Sequence, residues 1–135
     1  MRSHDKRIYR PIYRWEDLPE LPPLKAQETY ALDFKSQHNS DPSEHAKDMA
    51  AFANAYGGAL LVGVAEKADN YERCLLALSD ATTVAKDYED SARNLLAPRP
   101  HVDPVVVSFP GDDQKAVVAV NVAPFAGQLV GARIA

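Results

Sequence analysis

Residues 29–35, Thr-Tyr-Ala-Leu-Asp-Phe-Lys, alternate between apolar and polar positions. In an extended chain Tyr30, Leu32 and Phe34 fall on one side, and Ala31, Asp33 and Lys35 on the other. This pattern predicts a strand with one polar face. Residues 36–42 are rich in turn formers and predict a loop. A helix over 42–56 follows. Asp41 suits the N-cap, Pro42 the first helical position, and Glu44 stands at capping-box spacing from Asp41. Ala46, Met49, Ala50 and Ala53 recur at i, i+3, i+4 and i+7, with Phe52 and Tyr56 beside them. Such small residues let a helix lie close on a sheet. Gly57-Gly58 predicts the helix end, because a glycine accepts the left-handed conformation there. Residues 59–65 are apolar almost throughout, which predicts a central strand covered on both faces.

The rest of the chain is shorter in its signals. Residues 66–71 are polar and predict a turn, and 73–78 form a short, largely apolar piece. A second helix is expected over 83–97, with Val84, Tyr88, Ala92, Leu95 and Leu96 near one face and Pro98 as its stop. Residues 102–109 and 115–122 flank Pro-Gly-Asp-Asp-Gln and predict a hairpin. Pro104 puts one of these strands at an edge or on a bulge. Residues 1–24 have no helical period and carry four prolines, and the ELPPL stretch reads as a linker. The expected division is an extended, basic, proline-rich arm over 1–26 and a compact domain over 27–135. The element order β-α-β-(β)-α-β-β describes an α+β fold, a mixed sheet with two main helices packed on it.

At 135 residues the chain is about one domain, and it is large enough to fold without a metal or disulfide staple. No apolar run approaches the roughly 18 residues of a membrane-crossing helix. Cys74 is the only cysteine, so neither an intrachain disulfide nor a cysteine-rich zinc site is available. A cytoplasmic protein without a membrane partner is the expectation. Charge is distributed unevenly. Residues 1–14 hold five cations (Arg2, Lys6, Arg7, Arg10 and Arg14) against one anion, whereas the remainder holds 10 cations against 18 anions. The arm is therefore the basic footprint a nucleic-acid binder needs. Tyr9, Tyr13 and Trp15 alternate with its cations and either stack on unpaired bases or pack on the body.

Most catalytic motifs are absent. There is no phosphate-binding Gly-x-x-x-x-Gly-Lys-Ser/Thr loop, no Gly-x-Ser-x-Gly elbow and no His-Glu-x-x-His. Gly57-Gly58 sits at the wrong end of its helix for a phosphate, which seeks the amide donors of an N-terminus. One acidic set stands out. Glu28 and Asp33 flank the first strand, and Glu66 follows the central one. If those strands are neighbours, the carboxylates meet and offer the oxygen ligands that Mg²⁺ or Mn²⁺ prefers. Lys35, two residues from Asp33, would stabilise charge developing on a phosphoryl group.

Three stretches resemble one family. Residues 28–35, Glu-Thr-Tyr-Ala-Leu-Asp-Phe-Lys, look like the Glu-x-x-x-x-Glu-Phe-Lys opening of the Schlafen AlbA domain. Residues 48–58, ending Phe-Ala-Asn-Ala-Tyr-Gly-Gly, and residues 59–66, Ala-Leu-Leu-Val-Gly-Val-Ala-Glu, resemble its next helix end and strand. The resemblance implies the family's α+β fold and a role in binding nucleic acid, DNA or RNA. The family was once described as a divergent ATPase class, which the missing phosphate loop does not support. Members with endoribonuclease activity use three carboxylates, and by position these match Glu28, Asp33 and Glu66. Asp33 stands where Glu is usual and Glu66 where Asp is usual. Three functions fit these features: a nucleic-acid-binding domain, a Mg- or Mn-dependent endoribonuclease, and a non-catalytic protein-interaction domain. Ribonuclease members pair two such domains, which implies a homodimer or a partner chain here.

Overall fold

The computed structural model describes residues 9–18, 32–37, 40–67, 70–125 and 129–132; for 66–67, 70–72 and 132 it describes the backbone. The chain runs through β1 (Leu32–Lys35), α1 (Pro42–Asn54), β2 (Gly58–Val62), β3 (Val64–Lys67), β4 (Asn70–Arg73) and β5 (Leu76–Ala77). It continues through α2 (Leu78–Leu95), β6 (Leu96–Ala97), β7 (Val102–Phe109), β8 (Asp112–Val122) and β9 (Gly131–Ala132). A short 3₁₀ turn, Trp15–Asp17, precedes them. The fold is α+β, with two main helices and a mixed sheet.

Five strands form the main sheet, in the order β1-β2-β8-β5 with β7 also paired to β8. β1 and β2 are parallel, with Asp33 opposite Leu60 and Lys35 opposite Val62. The other pairings are antiparallel. β7 follows one side of β8, while β2 and β5 lie end to end along the other. Pro104 sits on β7, which pairs with β8 alone among the described strands, so its missing N–H costs no ladder bond. β2 is buried at every position, as is β8 from Ala116 onward. Both faces of the sheet must therefore be covered.

α1 and α2 cover one face. Ala46, Met49, Ala50 and Ala53 of α1 join Ala81, Val84, Tyr88 and Ala92 of α2 over Leu60, Val62, Val118 and Val120. Asp41 caps α1 as expected, accepting from the Ser43 N–H at 3.0 Å. Gly57 closes it with φ 80°, and a Cβ there would lie 2.7 Å from Pro124 Cδ and 2.9 Å from the Val122 carbonyl oxygen. That position belongs to glycine on both counts. Asn54 does not serve the helix end. Its side chain clamps the distant residue Val130, donating to the carbonyl at 3.0 Å and accepting from the N–H at 2.7 Å.

The second face is covered by residues upstream of the expected domain start. Ile12 is buried with Phe34, Ala59, Leu61, Val64, Val107, Val117 and Ala119, and Trp15 and Leu18 pack against them. Asn121, fully buried in β8, holds this segment. Its side-chain oxygen accepts from the Ile12 N–H and its amide donates to the Ile12 carbonyl, both at 2.8 Å. The amide also donates to the Asp103 carbonyl at 3.3 Å.

Other departures from the sequence expectation are local. The apolar run 59–65 is two strands, broken at Gly63 (φ 113°), whose N–H donates to the Lys35 carbonyl at 2.8 Å. Residues expected as a turn belong largely to the antiparallel pair β3 and β4. α2 starts at Leu78 rather than near 83 because its N-cap, Ala77, has no capping side chain to announce it. β8 starts at Asp112, so the hairpin turn is shorter than the polar stretch suggests.

The Asn121 clamp yields a direct test. Replacing Asn121 with Leu leaves the buried N–H and C=O of Ile12 unpaired, at about 1–3 kcal/mol for each unsatisfied group. The melting temperature should fall, and emission from Trp15, the single tryptophan, should shift to the red as the segment lifts. An unchanged melting temperature and spectrum would show that Asn121 does not hold residues 9–18.

Candidate functional site

A polar wedge lies where β1, α1 and α2 meet. Strand alternation puts Asp33 and Lys35 on the helical side of β1, since Phe34 between them packs on the opposite face. The Lys35 ammonium stands 3.4 Å from Asp33 Oδ2 and 3.5 Å from Asp48 Oδ2 of α1. One turn before Asp48, the buried His45 stacks on Tyr88 of α2 with ring centroids 3.9 Å apart. His45 Nδ1 is 3.0 Å from the Ser91 hydroxyl. Three elements thus converge through side chains that pair with one another.

Burial and ion pairing compete in this wedge. For Lys35, burial alone would lower the pKa, but Asp48 and then Asp33 outweigh it and hold the ammonium above its ordinary value. For Asp48, half-burial is the largest influence and lifts the carboxyl above the usual range; Lys35 opposes this and Asp33 adds to it. The Tyr88 hydroxyl is pushed well up, first by burial and then by Asp48 and Asp33. Asp48 was not singled out from sequence. Its signal is an acid placed one position before the apolar residue Met49, at the border of the packed face of α1.

The sequence-predicted carboxylates stand as follows. Asp33 is in the wedge. Glu28 lies outside the described residues. Glu66 is on β3, where the backbone pairs it with Tyr71. β1 and β2 are neighbours as required, and the Gly63 bond to Lys35 starts β3 beside the end of β1. Among the described residues no three His, Cys, Asp or Glu side chains group as metal ligands. Asp33 and Asp48 supply hard oxygen donors that suit Mg²⁺ or Mn²⁺, with the Lys35 ammonium now between them. Glu28 and Glu66 would have to complete such a site.

A second assembly occupies the other face. The docked segment carries Arg10 and Arg14, both exposed, and Tyr13, half-exposed. Arg2, Lys6 and Arg7 lie outside the described residues. Asp17 accepts from the N–H groups of Tyr13 and Arg14 at 3.0 and 3.1 Å, and these bonds hold its carboxyl below the usual range. Trp15 meets Phe109 edge to face at 5.1 Å. The exposed Arg73 guanidinium lies 5.8 Å from the Trp15 ring and 5.4 Å from that of Phe109. Burial, then Tyr13 and Asp103, push the Tyr9 hydroxyl up to about 12. The choice between stacking on bases and packing on the body therefore falls differently along the segment: Trp15 packs, while Tyr13 stays half-exposed.

The family model described as Schlafen, AlbA_2 matches residues 28–129, most of the chain. No curated protein matches it. No helix among the described residues is long and apolar enough to cross a membrane.

The wedge makes a pH-dependent prediction. Lys35 has a raised folded pKa, so its contribution is present below its ordinary 10.5 and lost only as pH rises through the raised value. Asp48, also raised, favours folding when protonated; that contribution is present below 3.8 and lost as pH rises through its folded value. In Lys35→Met the two carboxylates face each other without a cation. The variant should melt below wild type at about pH 7, and the gap should close towards about pH 3 as the carboxylates protonate. A gap independent of pH would mean that Lys35 stabilises by packing alone.

Proposed function

We propose that this chain, which belongs to the Schlafen AlbA_2 family, binds nucleic acid through the surface formed by its docked N-terminal segment. The observation that carries the reading is Arg73, held against Trp15 and Phe109 while still exposed, beside a segment that presents Arg10 and Arg14. A guanidinium stacked on aromatic rings is oriented before a phosphate arrives, so less side-chain entropy is lost on binding. Tyr13 adds an exposed ring on which an unpaired base can stack. Arg2, Lys6 and Arg7 extend the same basic footprint along the chain.

Binding of this kind releases counterions and weakens with salt. Replacing Arg10, Arg14 and Arg73 together with Ala should weaken single-stranded RNA or DNA binding, and the log–log salt slope should flatten by about 0.7 for each phosphate the variant no longer neutralises. Fluorescence anisotropy across a salt series measures both. Equal affinity and slope in wild type and variant would remove this surface from the interface.

A second reading is a Mg- or Mn-dependent endoribonuclease using Glu28, Asp33 and Glu66, with Lys35 stabilising phosphoryl charge. It is favoured by the parallel pairing of β1 and β2 and by the start of β3 beside Lys35, which brings the backbone carrying Glu66 towards the strand of Asp33. The metal would polarise a phosphoryl oxygen and activate a water. In that arrangement Asp48 holds Lys35 in place. Labelled single-stranded RNA incubated with Mn²⁺ should be cut by wild type and spared by Asp33→Asn. No cleavage by wild type, or equal cleavage by the variant, would reject the reading and leave binding as the function.

A further inference from the structure

On the helical side of the sheet, the C-terminal half of α2 and the loop leading into β7 border an open pocket of about 410 Å³ whose charged side chains are all exposed. Arg93 of α2 lines it together with Arg99 and His101 of the loop, and Glu89 contributes the opposing charge. We propose that this pocket binds a phosphomonoester, the group carried by a free nucleotide or by the phosphorylated end of a strand.

The chemistry and the mounting of these side chains both point to that ligand. Two guanidiniums present forked donors that match phosphate oxygens. A phosphomonoester carries about −1.5 to −2 charges near neutrality and three strong acceptor oxygens, for which Arg93, Arg99 and His101 supply donors beside Glu89. The volume falls within the roughly 300–1,000 Å³ of small-molecule sites, enough for a phosphate with its sugar. Arg99 is set between Pro98 and the buried Pro100, whose rings fix φ on either side. The His101 carbonyl accepts from the Ala123 N–H at 3.0 Å, so the loop is anchored to the strand end. Among the described residues Arg99 and His101 make no ion pair. Arg93 is paired with Asp90, which also holds Lys86, so Asp90 divides one charge between two cations.

The surroundings restrict how the phosphate arrives. α2 carries Asp80, Asp87, Glu89 and Asp90, and a continuous nucleic-acid backbone laid along it would meet these carboxylates. A lone terminal phosphate entering the pocket meets Glu89 and the Asp90 that pairs with Arg93, and avoids Asp80 and Asp87. The pocket lies on the sheet face opposite the docked segment: Val102 at its rim packs into the helical cluster, whereas Ile12 belongs to the other cluster. It is thus separate from the proposed nucleic-acid surface.

Calorimetry on the full chain tests this with AMP, adenosine and inorganic phosphate. AMP and phosphate should bind and adenosine should not. The double variant Arg99→Ala/His101→Ala should weaken AMP at least about tenfold, as expected when one charge-assisted hydrogen bond is removed, at an unchanged melting temperature. Arg99→Lys should fall between. Arg10→Ala/Arg14→Ala should leave AMP binding intact, which separates this site from the nucleic-acid surface. A preference for 5′-phosphorylated over 5′-hydroxyl RNA, abolished in the double variant, would identify the strand end as the source; equal binding of both RNAs would identify the free nucleotide. No AMP binding at about 1 mM, equal binding of adenosine, or unchanged AMP affinity in the double variant would overturn the proposal.

Discussion

β2 and the second half of β8 have no polar face, and the architecture follows from that constraint. A strand buried on both sides needs two covering layers. The two helices supply one. The other comes from residues 9–18, far from β8 in sequence, and the single polar side chain buried in that stretch of β8 is the one that holds them. Asn121 bonds both the N–H and the C=O of Ile12, as a neighbouring strand would. Unpaired, its amide would cost about 1–3 kcal/mol in this setting; paired, it fixes where the segment lies. Asn54 repeats the device at Val130, so both ends of the described chain are tied by asparagine amides acting as backbone.

The same two-sided burial separates the chemistry. On the helical side, Asp33 and Asp48 are half-buried and both pair with Lys35, a positioned cluster in which one cation answers two carboxylates. On the segment side, cations stay at the surface. Arg73 rests on Trp15 and Phe109, and Trp15 follows the docked Ile12 by three residues. The described cations of this surface, Arg10, Arg14 and Arg73, are consequently placed by the fold.

The sheet, both helices and the hairpin were legible because each carries a strong period or a turn signal. The helix 42–54 showed its cap, its alanine face and its glycine stop. The run 59–65 showed its burial but not its break, since Gly63 among small apolar residues looks like any strand glycine. The start of α2 left no trace because Ala77 cannot cap. Asp33 and Lys35 were legible as a pair two residues apart, whereas Asp48 was hidden in a helix read for its apolar face. The docking of residues 9–18 depends on an asparagine more than 100 positions away. No local pattern reveals such a contact, and proline-rich surroundings point instead to an extended arm.

Amide hydrogen exchange at Ile12 tests this account most directly. The Ile12 N–H is buried and bonded to Asn121, so it should exchange slowly, at a rate comparable to the amides of β8, while the amide of the exposed Arg10 exchanges quickly. Exchange of Ile12 at the rate of an unstructured peptide would contradict the docked segment. It would also remove the basis for the surface built on Trp15 and Arg73.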